Sequence, residues 1–185
     1  MSKEKQVALN YDKMVNICKN VFEQKTKDYG TSWRILRLPS ITDQIMIKTQ
    51  RIRSIEDLKT QCVPDDIFGE LIGIVNYGVI GLIQASLNKN TPITLNYQIL
   101  SPRYDAIIQE ASLLCNNKNH DYQNAWKEMR FSSMTDIILM KLLRIKSIED
   151  NNGKTLISEG ISANYLDIIN YAIFSAIRYD QKSLR

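Results

Sequence analysis

A chain of 185 residues has room for one compact domain or for two small ones that share a core. Its net charge of +4 is mild, and no run of Lys or Arg resembles a nucleic-acid arm, so direct nucleic-acid binding is disfavoured. Cys18, Cys62 and Cys115 are odd in number and lack metal-ligand spacing, which argues against a disulfide framework and reads as buried, reduced thiols in a cytoplasmic protein.

The N-terminal Met-Ser-Lys-Glu-Lys is polar, with no apolar core of a secretory signal. Apolar positions Met14, Ile17 and Val21 then predict a helix over 10–27. A short aromatic connector follows, Asp28-Tyr29-Gly30-Thr31-Ser32-Trp33. A second helix is expected from Ser40, capped by that Ser or by Thr42, to Asp57. A third is expected over 64–87. Its apolar stretch Ile67–Ile83 is broken by Glu70 and Asn76 and falls short of the roughly 20 residues a membrane span needs. It therefore reads as a buried helix and not as a membrane segment. Gly69, Gly73, Gly78 and Gly81 within it point to close helix approach. Residues 88–100, with Asn, Lys, Thr and Pro92, read as a linker. Ser101-Pro102 then predicts a helix start, Ser as N-cap and Pro at the first helical position. Helices over 101–118, from Ser133 to Asp150, and over 158–179 complete the series, with Asp121 to Trp126 as a second connector.

The second half repeats the first. Tyr11-Asp12 answers Tyr104-Asp105 at a spacing of 93, as do Trp33 and Trp126, and Arg37 and Arg130. The run Ser40 to Asp57 answers Ser133 to Asp150, and after a one-residue insertion Asn76-Tyr77 answers Asn170-Tyr171 at a spacing of 94. Units of about 70 residues are marginal alone. Two copies, 11–87 and 101–179, are therefore expected to pack as an all-α, pseudo-twofold bundle of three-helix units around one core.

The helix from Ser133 is apolar almost all round, yet it carries Asp136, Lys141 and Arg144. At about 100° per residue they fall near 0°, 140° and 80°, a single charged wedge. Copy one keeps it as Asp43, Lys48 and Arg51. Buried charges must be paired or bound to something. Salt bridges between the copies are one reading. Phosphate held by Lys141 and Arg144, and by Lys48 and Arg51, is the other. On the third helix Asp167, Asn170 and Tyr171 share one face, with Glu159 two turns before Asp167. Asp136, Glu159 and Asp167 are oxygen donors of the kind Mg2+ prefers. Copy one has Asp65 and Gly73 in place of Glu159 and Asp167, so copy two is the better equipped for metal, with Glu70 a candidate substitute. His120 is the only histidine, and no nucleophilic triad can be assembled around it. Trp33 and Trp126 read as core plugs more readily than as base-stacking platforms.

The combination Lys-x-x-Asp-Tyr, Trp, Asp-x4-Lys-x2-Arg-Ile and, on the third helix, Asp-x2-Asn-Tyr resembles the nucleotide modification associated domain 1 family, in the two-copy form seen in the Bacteroidetes. The likeness covers nearly all of 11–178, although this chain carries fewer acids before the Asn-Tyr pair than is typical of the phage members. The resemblance implies a role around modified nucleotides or their precursors. A distant architectural likeness to the all-helical nucleoside triphosphate pyrophosphatases suggests Mg2+-dependent hydrolysis, without their paired Glu motifs. The expected function is thus nucleotide binding or processing. There Asp136, Glu159 and Asp167 hold Mg2+, Lys141, Arg144, Lys48 and Arg51 take phosphate, and Asn170 and Tyr171 orient the base or the metal ligands. The competing expectation is a non-enzymatic assembly module. Pairing of two whole chains is compatible with either.

Overall fold

The computed structural model describes residues 3–183 except 61, 63, 65, 89 and 123; the side chains of 3–5, 7, 118–122, 182 and 183 are outside the description. Expectations resting on Asp65, His120 and the Asp121-Tyr122 pair therefore lie outside the described residues. Six main helices form, α1 (Lys3–Tyr29), α2 (Leu38–Leu58), α3 (Ile67–Ser86), α4 (Tyr97–Tyr122), α5 (Phe131–Asp150) and α6 (Ile161–Ser183). Short 3-10 turns, Ser32–Ile35 and Ala125–Lys127, carry Trp33 and Trp126 into the core. Among the described residues there is no strand, in line with the all-α expectation.

Several helices start elsewhere than their Ser and Pro signals suggest. Both α2 and α5 begin two residues before Ser40 and Ser133, after Arg37 and Arg130, and neither has a side-chain cap. The helix α4 begins at Tyr97, with Pro102 inside it. Asn96 caps it instead, its Oδ1 accepting the Ile99 N–H at 3.0 Å. The linker accordingly ends at Asn96 and not at Leu100. It is tied down: Thr31 donates to the Ile93 carbonyl and accepts the Leu95 N–H, and Leu95 is buried. Asp66 caps α3 by accepting the Gly69 N–H at 2.7 Å.

The helices α2, α3, α5 and α6 form a four-helix core, with α2 on α3, α5 on α6, and the two pairs joined by α3 against α6 and α2 against α5. The helices α3 and α6 run antiparallel. A Cβ on Gly78 would fall 2.8 Å from Ile169, and one on Gly81 would fall 3.0 Å from the Tyr165 ring. Two of the four α3 glycines thus serve close helix approach, and Ala172 and Ser175 keep the same places small in α6. By length and composition α3 passes as a membrane span, yet here it lies in the core against α2 and α6.

The helices α1 and α4 cover α3 and α6, and each reaches into the opposite copy. Tyr11 of copy one donates to Asn170 Oδ1 at 2.8 Å, while Asn170 Nδ2 donates to the Ala111 carbonyl at 2.9 Å. The mirror set is Tyr104 to Asn76 at 2.9 Å and Asn76 to the Cys18 carbonyl at 3.0 Å. Cys18 and Cys115 are buried, and burial pushes the Cys18 thiol up to about 12, whereas Cys62 is exposed, contrary to expectation.

Candidate functional site

The charged residues of α2 and α5 do not act as one wedge. Lys141 and Asp136 lie about 140° apart on their helix, so they meet different neighbours. Asp136 is exposed and pairs with Arg53 of α2 at 3.7 Å. Its counterpart Asp43 pairs with Lys146 of α5 at 2.8 Å. Arg53 and Lys146 are themselves equivalent positions, so these are the two halves of one symmetric inter-copy contact. Lys141 instead turns to α6, its Nζ 2.6 Å from Asp167 Oδ2, with both groups buried. Arg144 is exposed; its Nη2 lies 3.8 Å from Met140 Sδ, and it has no carboxylate partner among the described residues.

Copy one solves the same problem with the acid displaced by one turn. Glu70 accepts from Lys48 at 2.9 Å and from Arg51, with the three side chains 10%, 26% and 22% exposed. Burial disfavours ionised Glu70, but hydrogen bonds and charges from Lys48 and Arg51 together outweigh it and hold the carboxyl below its ordinary range. The substitution of Glu70 for the missing acid at Gly73 is therefore realised. In copy two the position of Glu70 is Asn164, whose amide bonds the Gly160 carbonyl at 2.9 Å.

The proposed metal donors do not gather. Asp136 and exposed Glu159 both border an open groove beside α5, with Arg144, Lys154 and the exposed Leu156 and Ile157. Asp167 lies away from it, in its pair with Lys141. Among the described residues no three His, Cys, Asp or Glu side chains are grouped to hold a metal ion, so this donor set does not fit Mg2+ as expected. Asn170 is buried, with its oxygen and one N–H engaged in the cross-copy bonds. Tyr171 packs edge-on to Phe174 at 6.0 Å.

A different site emerges in copy one. A cavity of about 480 Å³ opens between the end of α1, the Trp33 turn, α2 and α3. The helix α3 presents one continuous face to it, Gly69, Ile72, Gly73, Asn76, Tyr77 and Ile80. Opposite stand Lys25, Tyr29 and Trp33, with Gln44 and Lys48 from α2. Its charged lining residues are Lys25 and Lys48, with no Asp or Glu among those described. Four of its lining residues are aromatic, Phe22, Tyr29, Trp33 and Tyr77. The Tyr29 hydroxyl is raised in pKa, first by partial burial and then by Tyr77 and Asp28. The sequence does not mark Gly73 and Ile80 as ligand residues, and Lys25 and Tyr29 stand out in it only as repeated positions. The signal available was the loss of bulk along one face of α3 relative to α6.

Lys25, Tyr29, Trp33, Lys48, Asn76 and Tyr77 all belong to the repeated motif and stand around one cavity. The family described as nucleotide modification associated domain 1 matches residues 25–85 and again residues 118–179. The chain belongs to this family. The first match of the nucleotide modification associated domain 1 runs from Lys25, on the cavity wall, to the last turn of α3; the second covers the equivalent stretch of copy two. No curated protein and no solved structure matches the chain.

Proposed function

We propose that this member of the nucleotide modification associated domain 1 family binds a nucleotide, canonical or modified, in the copy-one cavity. The observation that carries the reading is the wall chemistry: four aromatic rings, two lysines and, among the described lining residues, no carboxylate around about 480 Å³. Aromatic faces suit a base, and ammonium groups suit phosphate oxygens. The size lies in the range of small-molecule sites. Glu70 serves as a positioning residue, holding Lys48 on the cavity wall while its other oxygen pairs with Arg51.

The test is thermal unfolding against nucleoside mono-, di- and triphosphates, canonical and modified, each with and without Mg2+. A ligand at a hundredfold excess over Kd adds about 2.7 kcal/mol, a rise in Tm of roughly 5–10 °C for a chain this size. A flat panel overturns the proposal and leaves the assembly-module reading, which the symmetric Asp43–Lys146 and Asp136–Arg53 pairs favour. Release of phosphate or pyrophosphate in the presence of Mg2+ would extend binding to hydrolysis.

A further inference from the structure

The two copies differ on the cavity face in a way that describes the ligand. Copy two retains the tryptophan and the lysine, as Trp126 and Lys141, but fills the space in front of each from its own chain. The Phe174 ring lies parallel to Trp126, centroids 4.4 Å apart and planes 3° from coincident. The Asp167 carboxylate sits 2.6 Å from Lys141 Nζ. In copy one these two positions are Ile80 and Gly73, and both face the cavity. They are seven residues apart on one helix face, an axial separation of about 10 Å. A Cβ on Gly73 would stand 2.9 Å from Lys48 Cε, so a larger residue there displaces the flexible end of the lysine.

We infer that copy one takes from solution a planar ring, stacked on Trp33 where copy two has Phe174, and a phosphate that joins Glu70 on Lys48. A ring and an anion joined over about 10 Å correspond to a nucleoside mono- or diphosphate, base toward Trp33 and phosphate toward Lys48. Lys48 has three donors and uses one on Glu70, so an entering phosphate meets the remainder. This inference rests on the nucleotide reading and deepens it by assigning the class and the orientation of the ligand. It also makes copy two a filled, structural version of the same site.

The experiment transplants the filling. The variant Glu70→Asn, Gly73→Asp, Ile80→Phe gives copy one the residues of copy two. Wild type and variant are titrated calorimetrically with the mono- and diphosphates of the four common deoxynucleosides, with the free bases and with inorganic phosphate. The expected result is one site per chain in wild type, with quenching of Trp33 fluorescence, and at least a hundredfold loss of affinity in the variant at undiminished Tm. Where the triple variant fails to fold, Ile80→Phe alone serves, since it adds only the ring. The converse variant, Asn164→Glu, Asp167→Gly, Phe174→Ile, is expected to raise the stoichiometry from one to two. Binding that survives the filled, folded variant overturns this inference while leaving nucleotide binding elsewhere on the chain. Inorganic phosphate bound as tightly as the nucleotides, or binding without quenching, overturns the ring placement. No binding by any probe to wild type overturns this assignment of class and orientation, while the nucleotide reading itself falls only with the flat thermal panel.

Discussion

At the scale of single residues, two acids respond to pH in opposite directions. Glu70 has its pKa lowered by Lys48 and Arg51 against the effect of burial. Its stabilising contribution is present above the ordinary carboxylate value and is lost as pH falls through its lowered one. Glu149 has its pKa raised, first by burial and then by Asp43 and Asp150, despite accepting from Thr42 at 2.8 Å. Its contribution is present below the ordinary value and is lost as pH rises through the raised one. Glu70→Gln should therefore cost about 1–3 kcal/mol at neutral pH and flatten the acid arm of the stability profile, as read by urea unfolding. Glu149→Gln should raise stability at neutral pH relative to pH 4; a loss there would contradict the assigned direction. The cross-copy amides make a sharper case. Asn170→Ala strips the Tyr11 hydroxyl and the Ala111 carbonyl of a buried partner, and about 2–4 kcal/mol should be lost. Asn76→Ala should cost a similar amount, since its bonds to Tyr104 and Cys18 are the symmetric equivalents.

At the scale of helices, the α3–α6 contact sets the distance between the copies. Gly78→Ala gains roughly 1 kcal/mol of helix propensity but drives a methyl to 2.8 Å from Ile169. Overpacking of this kind costs about 1–3 kcal/mol, so net destabilisation is expected, measured as a lower urea midpoint. Gly69→Ala meets only the cap oxygen of Asp66, at 3.3 Å, and should come out near neutral or better. The sequence made the number and order of the helices plain, because apolar spacing reports burial directly. It was less informative about their ends. Ser101-Pro102 looks like a start, yet Asn96 reaches the Ile99 N–H first and the helix simply runs through Pro102. The charged wedge fails for a related reason: a spread of about 140° on the wheel sends Asp136 and Lys141 to different neighbours. Asp136 faces Arg53 of the other copy, and Lys141 faces Asp167 of its own.

For the whole molecule, neither copy closes a core alone. The helices α3 and α6 bury their glycine and alanine faces on each other, and each Asn is bonded by the opposite copy's Tyr. A chain divided within residues 88–94 should give halves of low helicity that recover the native circular dichroism only on mixing. Native helicity in either half, as a monomer, would contradict a shared core. The duplication and its pseudo-twofold packing were legible from the spacing of 93 between Tyr11 or Trp33 and its counterpart, and of 94 for Asn76 after a one-residue insertion. The cavity was not, because empty space has no letter. Gly73 and Ile80 register in sequence only as missing side chains, and acids retained in copy two suggested the active half, when Asp167 there already has Lys141.

The Leu87–Asn96 connection carries one further consequence. Two identical chains assembled through the same contacts would share a single gene, and any change at the position of Gly73 would appear in both sites at once. Joined end to end, the halves inherit separately. One can keep glycine and an open chamber while the other acquires Asp167 and Phe174 and becomes ballast. The strap therefore does more than hold the halves together: it gives each its own mutational history, and it allows an assembly of symmetric ancestry to become lopsided.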